Sequence, residues 1–120
     1  MDNMFCDCVS LKEIIFLNFN TENVTNMHCM FHGCSKLKDL NLSKFNTRNV
    51  KNMSGMFCLC SELEEIELCN FETENVTNMS AMFASCSKLK KIDVSKFNIN
   101  NVKDMNGMFG GCLSLKSKYF

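Results

Sequence analysis

The residues most suggestive of chemistry are two histidines and two cysteines in the string HCMFHGC, residues 28–34. His28 and His32 are four residues apart, so on a helix they would face the same way. With Cys29 and Cys34 they would resemble a metal site. We expect Cys34, however, to point into the core, roughly opposite His32, and a structural zinc site needs four ligands. The sequence therefore predicts no metal site and two exposed surface histidines.

Cysteine is the second candidate for chemistry, because nine cysteines occur in 120 residues. Stacking of repeated units would bring equivalent cysteines within disulfide range. The five that recur at a constant step cannot all pair within one chain. A free cysteine is a small, well-buried hydrophobe, so we favour reduced structural thiols. Cys69 lies outside this ladder and is expected to face solvent. The ladder consists of Cys8, Cys34, Cys60, Cys86 and Cys112.

Enzyme motifs are absent from the sequence. There is no phosphate-binding glycine loop, no G-x-S-x-G and no H-E-x-x-H. Only two histidines occur, and both lie in one segment, which argues against a nucleophile–base–orienter triad. We therefore predict that the chain is not an enzyme, and that it has no catalytic residue and no cofactor.

The composition excludes two further classes of function. Thirteen basic residues balance thirteen acidic ones, so the chain lacks the basic excess of a nucleic-acid binder. No apolar run approaches the roughly 18 residues of a membrane span, which predicts no membrane insertion. The N-terminus, MDNMFCDC, has neither the basic nor the apolar region of a signal peptide.

An internal repeat supplies the elements that must position any site. A leucine follows each ladder cysteine after three residues, and Asn-Val and Phe columns keep the same step of 26 residues. No insertion interrupts the register, so we predict one domain over residues 1–120. It holds about four and a half repeats and is expected to be a segment of a longer array. The repeat is plainest in the Met-Phe pairs at Met4-Phe5, Met30-Phe31, Met56-Phe57, Met82-Phe83 and Met108-Phe109.

Each unit predicts one short helix and one strand. In the second unit, Asn23 suits a helix cap, and Leu40 and Leu42 alternate with polar residues as in a half-buried strand. Stacked units would give an α/β repeat fold. It would be a leucine-rich-repeat solenoid with a parallel β-sheet on one face and short helices on the other. The apolar helical stripe would comprise Val24, Met27, Met30, Phe31 and Cys34.

The recurring unit NFxTxNVTNMSxMFxxCxxL resembles the BspA-like leucine-rich-repeat family, and the resemblance covers essentially the whole chain. That resemblance implies long arrays of surface proteins associated with adhesion and host-protein binding. It therefore implies a cell-surface or extracellular location. A cytoplasmic location stays open, because the sequence shows no signal peptide.

The variable positions of the predicted strands are the candidate binding surface, because constant columns would build the core. Their acidic bias would favour a basic partner surface. Ile15 and Leu17 form an apolar spot where a preceding repeat or a cap would pack. The candidate ligand-binding residues are Glu13, Ile15, Leu17, Asp39, Asn41, Glu65, Glu67, Lys91 and Asp93.

Taken together, these patterns favour a macromolecule-binding module that acts in protein–protein interaction or adhesion through its strand face. The expected partner is a protein rather than nucleic acid. The alternative is a structural spacer or assembly repeat without a ligand site of its own. Such a repeat would self-associate through its uncapped N-terminal unit.

Overall fold

Residues that are 26 positions apart lie side by side. The computed structural model describes residues 1–119, with side chains up to residue 116. Isolated parallel bridges join Asn26 to Asn52, Asn52 to Asn78, and Asn78 to Asp104. The rings of successive Met-Phe pairs stack with their centroids 5.3 to 5.6 Å apart. The repeat therefore determines which residues are spatial neighbours.

The predicted α/β leucine-rich-repeat solenoid, with a parallel sheet on one face and helices on the other, is wrong. No helix occurs in residues 1–119. The regular strands in that range are β1, Lys91–Asp93, and β2, Ser117–Tyr119, which pair in parallel. Residues 39–43 and 65–69, which were expected to be strands, have extended or turn conformations outside any sheet. The sheet is thus two short strands instead of one face of the molecule.

Consecutive β-turns occupy the segments predicted as helices. In the second unit, the N–H groups of Met30, His32 and Cys34 donate to the carbonyl three residues earlier, at 3.1 to 3.2 Å. Beyond its first turn, an α-helix would use every N–H group internally. Here alternate N–H groups bind the next unit instead, at 2.8 to 2.9 Å. These are the N–H groups of Met27, Cys29, Phe31 and Gly33, which donate to Asn52, Ser54, Met56 and Cys58.

Left-handed backbone conformations explain why these turns cannot become a helix. In the second unit, Cys29 has a φ of 52° and Gly33 a φ of 75°. The equivalent residues in the third unit, Gly55 and Leu59, have φ values of 62° and 63°. Positive φ is open to glycine at no steric cost, and it interrupts a right-handed helix.

At the positions equivalent to Asn23, which was predicted as a helix cap, asparagines connect neighbouring units instead. Asn49 Nδ2 donates to the carbonyl of Glu22 at 2.8 Å. Asn75 Nδ2 makes the same bond to Arg48 at 2.7 Å. Each bond runs back to the preceding unit, so this column replaces a local cap with a tie between units.

The constant columns form the core of the molecule. The Met, Phe, Cys and Leu columns of the three middle units are fully buried, whereas Phe5 and Phe109 at the two ends are partly buried. A threonine column is buried too. Thr47 Oγ1 donates to the carbonyl of Glu72 at 2.9 Å and accepts from its N–H at 2.8 Å. Hydroxyl and backbone groups that would be costly to bury unpaired are therefore satisfied across the units.

Candidate functional site

A groove lies over the segments between the stacked turns. Its floor is formed by Leu40, Ile66 and Ile92, which point inward while their chain neighbours point to solvent. This period of two persists although β1 is the only regular strand among these three segments. The groove has a volume of about 800 Å³. We call this surface the acidic groove, after its exposed residues Asp39, Asn41, Glu65, Glu67, Lys91 and Asp93.

Three predicted binding residues lie elsewhere. Glu13, Ile15 and Leu17 are exposed in the first unit and do not line the acidic groove. Ile15 and Leu17 are 71% and 74% exposed, so this apolar spot is uncovered in the described chain. The structure therefore divides the predicted site into a polar groove and a separate apolar edge.

Hydrogen bonds from side chains to the backbone hold the segments that border the acidic groove. Asn70 Nδ2 donates to the carbonyls of Leu42 and Phe45 at 3.0 and 2.9 Å. The N–H of Ser43 donates to Asn41 Oδ1 at 3.0 Å, which forms an Asx turn. Side-chain bonds within and between units thus fix the polar rim where a strand ladder is lacking.

The charge of the acidic groove is negative. Its lining contains the carboxylates of Asp39, Glu65, Glu67 and Asp93 against one amine, that of Lys91. Hydrogen bonds from Ser95 lower the pKa of Asp93. The N–H of Ser95 lies 2.9 Å from Asp93 Oδ1. Asp93 is therefore ionised at neutral pH.

Ion pairs neutralise a neighbouring strip of the surface. Lys90 Nζ contacts Glu64 Oε2 at 2.9 Å, and Lys88 Nζ contacts Glu62 Oε2 at 2.9 Å. The hydrogen bond and charge of Lys90 lower the pKa of Glu64, and Glu64 raises the pKa of Lys90 for the same reasons. Positive charge also reaches the groove, because Lys90 interacts with Glu65 and Lys96 with Asp93, so the excess of negative charge there is partly offset.

The family assignment comes from a sequence comparison. A family model described as "Mycoplasma protein of unknown function, DUF285" matches residues 1–119. The chain belongs to this family. No curated protein and no solved structure matches it. The description of this family gives no activity.

Within residues 1–119 there is no helical segment with the length and hydrophobicity needed to cross a bilayer.

The structure also joins side chains that the sequence prediction treated separately. Cys6 and Asp7 of the first unit meet His32 of the second. Cys6 and His32 occupy equivalent positions one repeat apart, a signal visible in the sequence. His28 contacts Ser54 instead, with Nδ1 2.7 Å from Oγ. The two histidines therefore do not converge, and both are partly buried rather than exposed as predicted.

The eight cysteines from Cys6 to Cys86 are free thiols. Each buried ladder thiol donates to a carbonyl of the preceding unit, as Cys60 Sγ does to Phe31 at 3.2 Å. Burial raises the pKa of Cys34 to about 11 and that of Cys86 to about 12. Cys69 is exposed, which confirms that part of the sequence prediction.

Proposed function

We propose that this chain is a protein-binding module whose acidic groove recognises a basic segment of its partner. The observation that carries the proposal is the concentration of charge. The whole chain has a formal net charge of zero, yet four carboxylates and one amine line a single concavity. Complementary charge of this kind favours one class of partner and raises the association rate.

The two layers of the groove suit different parts of a ligand. Exposed carboxylates at the rim select positive charge, and screening by salt weakens their contribution. Of the floor residues, Ile66 is partly exposed and offers apolar contact for the stem of a lysine or arginine side chain. A basic, extended peptide segment would satisfy both layers.

Binding rather than catalysis is part of this proposal. The residues that line the acidic groove include no histidine. A nucleophile there would have no imidazole base beside it.

The resemblance to BspA-like repeats supports adhesion at a cell surface or outside the cell, and we extend the proposal to that location.

The experiment compares two double charge reversals within the third unit. Glu65→Lys/Glu67→Lys alters the acidic groove. Glu72→Lys/Glu74→Lys makes the same change of charge at exposed residues outside its lining. Calorimetry would measure the binding of a synthetic lysine- and arginine-rich peptide at several salt concentrations.

We expect the groove variant to bind at least about tenfold more weakly than the wild type, since each lost pair contributes up to about 1 kcal/mol. The control variant should retain most of the affinity, and salt should weaken wild-type binding. Equal losses in the two variants would show that only net charge matters. That result, like unchanged affinity in the groove variant, would refute the site.

A structural spacer is the second candidate, supported by the exposed end of the stack. Phe31 and Phe57 are fully buried, but the equivalent Phe5 is only partly covered. A second copy, or another unit of a longer chain, would cover it. Sedimentation at increasing concentration tests self-association, and a strict monomer at high concentration would count against this candidate.

A further inference from the structure

Three metal-ligand side chains converge where the first unit meets the second. Cys6 Sγ lies 3.9 Å from His32 Nδ1, and Asp7 Oδ1 lies 3.5 Å from the same nitrogen. The three ligand atoms all lie within 4.8 Å of one another. They include a thiol, an imidazole and a carboxylate, so this is a mixed donor set rather than a cluster of acids.

These separations approach those of a tetrahedral metal site. Zinc binds sulfur at about 2.3 Å, and imidazole nitrogen or carboxylate oxygen at about 2.0–2.2 Å. A tetrahedron with those bonds has an S···N edge of about 3.6 Å and an N···O edge of about 3.4 Å. The observed 3.9 and 3.5 Å are therefore a few tenths of an ångström from the bound geometry.

The backbone makes room for this arrangement. Gly33 follows His32, and a Cβ atom at Gly33 would overlap the carboxylate of Asp7. The N–H of Asp7 also donates to the carbonyl of His32 at 2.6 Å, which holds the two residues side by side. The stacked turns therefore place the carboxylate and the imidazole together without any help from an ion.

We propose that Cys6, Asp7 and His32 bind a borderline-soft divalent metal ion, Zn²⁺ foremost, through three protein ligands and one solvent molecule. A thiolate and an imidazole are the ligands that zinc prefers, and the carboxylate completes a three-residue open site. Asp7 is 70% exposed and the His32 side chain 28% exposed, so an ion can enter from solvent.

Zinc must displace a proton at this site. Partial burial, followed by the charge of Asp7, raises the pKa of Cys6 above its ordinary value. Binding then forms the Zn–S bond and releases the thiol proton to solvent. No electron is transferred in this step.

The site would clamp the first unit onto the second. Asn3, Phe5 and Asp7 already donate backbone hydrogen bonds to the second unit, at 2.9, 2.8 and 2.6 Å. An ion held by residues of both units would oppose the opening of these bonds. Hydrogen exchange at these three amides should therefore slow when zinc binds, which gives a readout independent of affinity.

The experiment titrates reduced, metal-free protein with Zn²⁺ against a chromophoric competitor, and with Co²⁺ as a spectroscopic probe. The ligand variants are Cys6→Ser and His32→Gln. The matched controls are His28→Gln and Cys29→Ser, the same changes four and three residues from His32. Thermal unfolding without metal verifies that every variant is folded before titration.

We expect one zinc ion per chain, with a loss of about 100-fold or more in affinity in each ligand variant, because even indirect partners contribute 10–100-fold. The controls should bind within about threefold of the wild type, well below that range. The thiolate-to-cobalt absorption should vanish in Cys6→Ser and persist in Cys29→Ser. Zinc should slow exchange at Asn3, Phe5 and Asp7 in the wild type and in the two control variants, but not in Cys6→Ser or His32→Gln.

Three results would overturn the proposal. The first is the absence of stoichiometric zinc binding by the reduced wild-type protein. The second is unchanged affinity in Cys6→Ser or His32→Gln. The third is an equal loss in the control variants, which would show that zinc is held by scattered thiols. None of these outcomes depends on the acidic groove, so this proposal and the proposed function can fail separately.

Discussion

Neighbouring units are joined differently on the two sides of the molecule. We call the side with the stacked β-turns the turn side, and the side with the acidic groove the groove side. On the turn side, every second N–H of the stacked turns donates to the next unit, as Phe31 does to Met56. On the groove side, backbone bonds between the described units include the bond from Lys90 N–H to Glu64 and the pairing of β1 with β2. The backbone therefore holds the turn side, and side chains define the groove. A surface built in this way can change its residues while the framework keeps its hydrogen bonds.

The largest expected difference between the two sides comes from removing a stacked ring. Phe57 is fully buried between Phe31 and Phe83, with ring centroids 5.6 and 5.3 Å away. Phe57→Ala should lower the free energy of unfolding by about 3–5 kcal/mol. Ile66→Ala at the groove floor should cost less, because Ile66 is only partly buried. Urea denaturation measures both, and equal losses would contradict the contrast.

A smaller effect is expected at the threonine column. Thr47→Val keeps the shape of the side chain but leaves the buried N–H and carbonyl partners at Glu72 unpaired. We expect a loss of about 1–3 kcal/mol in the free energy of unfolding. Thr77→Val is the matched control. The Thr77 hydroxyl makes one bond near solvent, at 3.2 Å to the carbonyl of Lys51, and the loss of that bond should cost less than about 0.5 kcal/mol. An unchanged free energy of unfolding in Thr47→Val would contradict this role of the threonine column.

The smallest effect concerns the ion pairs beside the groove. Lys90→Met should raise the pKa of Glu64 toward its ordinary value, because the hydrogen bond and charge that lower it are lost. In the wild type the stabilisation from this pair is present above the unfolded-state pKa of Glu64. It is lost as the pH falls through the lower folded-state pKa. Carboxyl titration by NMR measures the shift, and an unmoved Glu64 would show that the pair does not form in solution.

The sequence is sufficient to predict which residues are neighbours, but it misleads about the backbone. The step of 26 residues places Asn26 beside Asn52 and Phe31 beside Phe57, as observed. Buried columns followed from the same step. The prediction of helices was wrong, because an apolar spacing of three and four residues also fits consecutive β-turns. Glycine at Gly33, Gly55, Gly107 and Gly111 was a signal against helices, since glycine is unfavourable inside them, but the same two columns also hold other residues with positive φ, such as Cys29 and Leu59.

The candidate sites were predictable to different degrees. Outward-facing residues of the acidic groove follow from alternation along the segments around Leu40, Ile66 and Ile92. The limits of the groove do not follow from this alternation, so the prediction wrongly included Glu13 among its residues. The meeting of Cys6 with His32 follows from the repeat only when residues are compared between units. The position of Asp7 also depends on a φ of 58°, which the sequence does not specify.

The hydrogen-bonded, buried thiols of the cysteine ladder are unreactive in the folded chain. With a pKa of about 11, the Cys34 thiol is ionised in only about one molecule in ten thousand at neutral pH. Thiolate is the nucleophile that attacks alkylating agents and disulfides, so the interior thiols react when the units separate and expose them. The rate at which these thiols are modified thus measures how often the stacked units separate. The rate at each cysteine reports the opening of the unit that contains it.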